Sequence, residues 1–295
     1  MLDWPLEMAI SEPDAHHDWL QSGTNICLDF HGDPVRAHAV VYADGNHHMA
    51  LAAALRLFVK EHPAVQDIFY ATTPPGILLA AVRHGLRLGN LVLSRSPDIF
   101  IGPGRIIQQL SATGLVSADT PFMQSRGNVI LLRAGNPRHI KHVTDLWRQG
   151  VRLALSNPDT ETASHQVYRQ TLDAYGAHYH LPPIMQAKTA QLIYSEGIHH
   201  REIPQILADG KADAAIVYYH LALRYQRIFP ELFSFVNMKG LHAPPENDPQ
   251  QTITEYRLAL IRECGPWGGQ LYEFLAGDAV SAIYREHGLA RISGD

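Results

Sequence analysis

Short apolar runs alternate along the chain with stretches of helical spacing, and polar turns sit at the junctions. His38 to Tyr42 reads as a strand that ends in Ala43-Asp44-Gly45-Asn46-His47-His48. Met49, Ala52, Ala53, Leu55, Leu57 and Phe58 then recur at the spacing of a helix from about Asn46 to Glu61, which stops before Pro63. Upstream, Ile26-Cys27-Leu28-Asp29-Phe30 alternates and Gly32-Asp33-Pro34 turns, so a hairpin with the strand from Ala37 is predicted. Val65 to Tyr70 is the next strand; it delivers Ala71-Thr72-Thr73-Pro74-Pro75-Gly76 to a helix that closes near Gly85. Pro97 to Pro103 is a short buried strand, followed by a helix from Ile106 to Thr113.

The pattern continues with a strand at Asn128–Arg133, a short helix from Ile140 to Trp147 and a strand at Val151–Leu155. Ser156 to Ala163 forms a third polar junction, with Asp159, Thr160 and Thr162 as candidate caps of a long helix that stops at Gly176. Ile193-Tyr194 leads into Ser195–Pro204 and a helix that ends at Gly210. Asp213 to Tyr218 is a buried strand, Leu232 to Met238 and Ile253 to Arg262 are two more, and a helix from Trp267 to Ile283 closes the chain. Strands alternating with helices predict an α/β fold with a largely parallel sheet.

The junctions carry the candidate chemistry. A helix start offers backbone N–H groups without an internal partner and a partial positive charge, so a small anion can settle there without Lys or Arg. Asn46 reads as an N-cap, with His47 and His48 either as added donors or as solvent-facing residues. Arg201-Glu202 reads as a solvated pair, and Tyr219 and His220 as residues leaving a strand.

Composition narrows the function classes. Net charge is −5 over 295 residues and the basic residues are scattered, which excludes a nucleic-acid footprint. No apolar run approaches the ~20 residues of a membrane span. Two cysteines without a CxxC are too few for a disulfide framework. Met1 to Glu7 has no basic and then apolar leader pattern, so a cytoplasmic protein is expected as written, or a periplasmic one if a leader was removed or the start is misassigned. No nucleophile–base constellation, phosphate loop or dinucleotide fingerprint is present, so neither an enzyme nor a cofactor is expected.

The order of these pieces resembles the type 2 periplasmic-binding fold, and most of all the molybdate/tungstate-binding solute receptors of ABC transporters. The resemblance spans about residues 36 to 292. It is carried by Asp44-Gly45-Asn46-His47-His48, Thr72-Thr73, Pro97–Gly102, Asn128–Leu132 with Gly135-Asn136-Pro137, Asn157-Pro158-Asp159, Gly210–Tyr218 and Phe274-Leu275 with Ile283-Tyr284 and Gly288-Leu289. It implies an arm with an extra strand at 1–35, one lobe from 36–128 plus 238–295, a second from 129–237, and a two-strand hinge near Asn128 and Val236. It further implies a small tetrahedral oxyanion held between the lobes, with an ABC permease as partner. Asn46, His47, Thr72 and Thr73 of one lobe would be ligand contacts, with Asp159, Thr160, His200 and Tyr218 of the other. Asp159 is awkward beside an anion and reads also as a cap of its own helix.

The 18 histidines keep a rival open. His47-His48 and His199-His200 could meet on Zn²⁺, Ni²⁺ or a metal complex, with Asp159 or His165 completing the set. Neighbours on a helix point about 100° apart, so one of each pair would reach a shared ion. Packing roles for His48 and His199, and a cytosolic sensor on the same fold, are the further alternatives.

Overall fold

The computed structural model describes residues 29–88, 91–187, 191–245 and 248–292. The chain divides into two compact units: Ser125–Thr254, and a unit built from residues up to Gln124 together with those from Glu255 onward. The latter is called the first unit below.

In the first unit, β1 (Phe30–His31), β2 (Ala39–Ala43), β3 (Ile68–Ala71), β6 (Ile99–Pro103), β7 (Val116–Gln124), β13 (Glu255–Ile261) and β14 (Ala290–Arg291) form one sheet. Its order is β1-β3-β2-β6-β13-β7-β14. The strands that alternate with helices are parallel: β2 pairs in parallel with both β3 and β6. Antiparallel β13, β7 and β14 extend the sheet on one side. Strand β2 shows why its run is apolar throughout. Ala39, Val41 and Ala43 face a core with Leu51, Leu55 and Phe58 of helix α1 (His48–Glu61), while Val40 and Tyr42 face another with Phe69, Phe100 and Leu110. Full burial of such a side chain stabilises by about 1.5–3 kcal/mol. Helices α2 (Pro75–His84) and α3 (Gly104–Ser111) border the second face, and α7 (Gly268–Leu275) and α8 (Asp278–Glu286) the first. A separate ribbon pairs β4 (Leu86–Leu88) with β5 (Leu91–Leu93).

In the second unit, β8 (Asn128–Arg133), β9 (Arg152–Leu155), β10 (Gln191–Tyr194), β11 (Ala214–Tyr218) and β12 (Phe233–Asn237) lie in the order β10-β9-β11-β8-β12. β9 is parallel to β10 and β11, and β8 is antiparallel to β11 and β12. Helices α4 (Thr162–His178), α5 (His199–Ala208) and α6 (Tyr219–Ile228) share one core with these strands. Residues 239–252 bond to this unit: Gln251 Nε2 donates to Asn128 O (3.1 Å), Thr252 N to Thr171 Oγ1 (3.2 Å), and Lys239 Nζ pairs with Asp248 at 3.2 Å.

A buried aspartate before an inner strand anchors each sheet. Asp98, ahead of β6, accepts from Val40 N (2.7 Å) and Gly265 N (2.6 Å). Asp213, ahead of β11, accepts from Arg152 N (2.9 Å) and Arg152 Nη2 (2.7 Å). Each satisfies a backbone N–H at the start of the neighbouring strand, where the ladder has not yet begun.

Several expectations need correction. The predicted hairpin does not form: Phe30 and His31 pair antiparallel with Ala71 and Tyr70 of β3 rather than with β2, and Ile26–Leu28 lie outside the described residues. Gly32 allows that path, because it sits at φ +79° and a Cβ there would meet Ile68 O at 2.3 Å. The short helix predicted from Ile140 is a 3-10 turn at Val143–Trp147, with its entry held by Asp145 Oδ2. The long helix runs past Gly176 to His178, and Gly176 packs against Trp147. The C-terminal helix is two helices, because the chain turns at Ala276-Gly277.

Candidate functional site

At the end of β2, Asp44 Oδ1 accepts from Asn46 N (2.9 Å) and starts a 3-10 turn at Gly45–His47 that leads directly into α1. The cap is therefore Asp44. Asn46, expected in that role, sits inside the turn because the aspartate two residues earlier takes its N–H first. Nor do the two histidines face solvent: Asn46, His47 and His48 are 5%, 3% and 1% exposed. His48 Nδ1 bonds to Gly45 O at 3.3 Å. His47 Nδ1 meets the Tyr284 hydroxyl at 3.3 Å, and its ring packs edge-on against Tyr256 with centroids 4.9 Å apart. The buried His47 Nε2 and Asn46 Oδ1 have no hydrogen-bond partner among the described residues. Burial pushes the His47 pKa down to about 3, so the ring is neutral. In the tautomer in which the Tyr284 hydroxyl donates to Nδ1, Nε2 carries the N–H.

The second junction of this unit is occupied differently. Thr72 N donates to Asp29 O (2.8 Å), and the Thr72 hydroxyl lies 3.3–3.4 Å from Asp29 O, Asp29 Oδ1 and His31 Nε2. The His31 ring stacks on Tyr70 at 4.3 Å and runs parallel to His48 at 6.4 Å. Thr72 and the neighbouring buried Thr73 therefore share a corner with β1, which brings Asp29 and His31. Neither residue was anticipated, since the assumed hairpin led β1 elsewhere.

In the second unit, Asp159 and Thr160 are exposed, as is Thr162. They do not act as the expected caps. Asn157 Oδ1 takes Asp159 N (2.8 Å) and Thr160 N (3.4 Å), while Thr162 Oγ1 donates back to Pro158 O (3.0 Å). The carboxylate that turns inward is Glu161, 5% exposed. It accepts from His199 N (2.7 Å), His199 Nδ1 (2.7 Å) and Ser195 Oγ (3.3 Å). His199 Nε2 in turn meets the Tyr168 hydroxyl at 3.0 Å. Desolvation holds that hydroxyl's pKa well above its usual value, so it remains protonated. Glu202 accepts from Glu196 N, Gly197 N (3.0 Å) and Ile198 N (2.8 Å).

Residues 201–202 are thus no solvated pair. Arg201 is among the largest fully buried side chains, and Glu202 closes the loop ahead of α5. Tyr219 and His220 are not exit residues but the first turn of α6, a helix signalled by Leu221, Ala222 and Tyr225 at i, i+1 and i+4. Arg224 on α6 is 5% exposed, so Arg201 and Arg224 of this unit are both buried among the described residues. His200 O accepts from the Tyr225 hydroxyl (3.0 Å), which ties α5 to α6. Tyr218, at the end of β11, shares a 3.0 Å hydrogen bond with Thr254 Oγ1 and stacks on His220. His165, weighed as a metal ligand, bonds through Nδ1 to Ser156 O at 2.8 Å.

Residues 39–290 match the family described as bacterial extracellular solute-binding protein. No curated protein matches the chain in sequence. Among solved structures, the fold is similar to the periplasmic molybdate-binding protein of Azotobacter vinelandii, with a TM-score of 0.61, 13% identity and 86% of this chain and 100% of that chain covered. It is similar also to the sulfate-binding protein SubI of Mycobacterium tuberculosis (TM-score 0.62, 17% identity, 86% and 87% covered). Iron-bound HitA of Pseudomonas aeruginosa aligns with a TM-score of 0.53 at 12% identity, with 84% of each chain covered. These likenesses establish an α/β fold of the two-lobed type 2 periplasmic-binding kind. Within the described residues, no helix is long and apolar enough to cross a membrane.

Proposed function

The chain belongs to the bacterial extracellular solute-binding proteins, and on that premise we propose that it captures a small tetrahedral oxyanion of the molybdate or tungstate kind. The observation that carries the reading is the buried Nε2 of His47, which has no partner among the described residues at the start of α1. A buried donor without an acceptor costs about 1–3 kcal/mol, a penalty a bound oxyanion would remove. Asn46 stands beside it in the sequence, and its amide meets either a donor or an acceptor according to which way the group is turned. A neutral imidazole and an amide suit a compact anion, which gathers several short hydrogen bonds without an ion pair. Thr73 lies on the other junction of the same unit, next to a Thr72 already bonded to Asp29. Names among the structural neighbours include molybdate and sulfate, which supports the ligand class.

The receptor would pass its solute to an ABC permease outside the cell membrane, as a transport protein rather than an enzyme.

Titration calorimetry with molybdate, tungstate, sulfate and phosphate tests this. Wild-type protein is expected to bind one of them, and His47→Ala to weaken that binding at least about tenfold, since one charge-assisted hydrogen bond is worth about 1.5–3 kcal/mol. Unchanged affinity in His47→Ala, or no heat with any of the four anions, would overturn the reading.

A further inference from the structure

The sequence alone pairs histidines that belong to different units. The folded chain offers a ligand set within the second unit. Glu161, His199 and His200 each present one potential ligand atom, and these atoms all lie within 4.8 Å of one another. The three residues are 5%, 1% and 2% exposed. They come from two helix starts: Glu161 immediately precedes α4, and His199 and His200 open α5. Glu161 reaches α5 because Asn157 Nδ2 donates to Ser195 O (2.9 Å) and Asn157 N to Ser195 Oγ (3.1 Å), which fastens one loop to the other.

From this we infer that Glu161, His199 and His200 form a binding site for a borderline divalent transition metal such as Zn²⁺ or Co²⁺. Two imidazoles and one carboxylate are donors that Zn²⁺ accepts, and three protein ligands leave a fourth position for water or another small ligand. The ion enters where a proton now sits. His199 Nδ1–H lies 2.7 Å from Glu161 Oε1. Around a tetrahedral ion with bonds of about 2.0–2.1 Å, two ligand atoms stand about 3.3 Å apart, so the carboxylate shifts by roughly half an ångström.

The proton has a place to go. When Nδ1 takes the metal, the imidazole hydrogen moves to Nε2, and the ring stays neutral. Nε2 faces the Tyr168 hydroxyl at 3.0 Å, and a hydroxyl both donates and accepts. Tyr168 donates to Nε2 in the metal-free form and accepts from Nε2–H in the loaded one. It is thus the outer partner that orients a ligating histidine. Glu161 keeps its second oxygen on His199 N (2.7 Å) and Ser195 Oγ (3.3 Å), so the carboxylate remains held while Oε1 turns to the ion.

The test is a titration of the full chain with Co²⁺ alone, followed by visible absorption, with Zn²⁺ displacement and metal analysis after dialysis. Wild-type protein is expected to take up one equivalent and show the intense bands of four-coordinate cobalt. Glu161→Gln and His200→Gln should each weaken uptake by more than about a hundredfold. Tyr168→Phe should weaken it by about tenfold, as loss of an outer-shell partner does. His47→Gln lies in the oxyanion reading and not in this one, so it should bind Co²⁺ as wild type does; this separates failure of one from failure of the other. His200→Gln guards against misfolding, since Glu161→Gln also touches the latch on α5. Absence of the cobalt bands in wild type, or equal uptake by wild type and both ligand variants, would overturn the site.

Discussion

The helix starts of the two units differ in what is already attached to them. In the first unit, Asp44 accepts one backbone N–H and the turn leaves His47 Nε2 and Asn46 Oδ1 buried without partners among the described residues. In the second, the protein fills its own helix starts. Glu161 takes His199 N, Glu202 takes three N–H groups ahead of α5, and Asn157 takes two ahead of α4. A helix start is an anion site only while its donors are unspent. The first unit thus leaves a buried imidazole nitrogen unspent, whereas the second spends its side-chain acceptors on its own helix starts.

The largest effect on that contrast should come from Glu161→Ala. It strands His199 N–H, His199 Nδ1–H and the Ser195 hydroxyl together, at about 1–3 kcal/mol for each donor left buried without an acceptor. The expected loss is about 3 kcal/mol or more, read from urea unfolding of the full chain; a loss under about 1 kcal/mol would mean the second unit's helix start is not closed by this residue.

Next in size is the pH response of His47. Its pKa falls from 6.5 to about 3 on folding because burial disfavours the charged ring. The unfolded chain therefore takes the proton first. Stability is whole above about pH 6.5 and declines as pH falls toward 3, by of order 3 kcal/mol at pH 4. The measurement is wild type against His47→Gln from pH 7 to 4: the variant's curve should be flatter, and identical slopes would place the acid sensitivity elsewhere.

The smallest effect sharpens the comparison at α4. Asn157→Ala should cost about 1 kcal/mol, because it removes the acceptor of Asp159 N and Thr160 N and the bond to Ser195 O, while Thr160→Ala stays within about 0.5 kcal/mol as an exposed change. The reverse order in thermal melts would restore Thr160 to the capping role its sequence position suggested.

Much of the α/β order was legible. Buried strands such as Val151–Leu155 and Asp213–Tyr218 announce themselves because a strand covered on both faces is apolar throughout. Helix α6 could have been read as well, from Leu221, Ala222 and Tyr225, but its polar first residues masked it. β1 could not: two residues define no period, and its partner β3 lies about forty positions away in the chain. The positions of Asn46, His47 and Thr72 at junctions were visible, yet their partners were not. Glu161 illustrates the reason. Beside Asp159 and Thr160 nothing local marks it as the inward carboxylate, and its bonds reach His199, a separation of 38 residues.

What the chain determined by itself was the succession of elements, since apolar spacing and turn residues act over a few positions whatever lies across the sheet. The tertiary structure alone decided which polar groups are spent and which remain available. Hydrogen bonds between distant residues fix that, and only the folded chain brings Asp29 to Thr72, Tyr284 to His47 and Glu161 to His199.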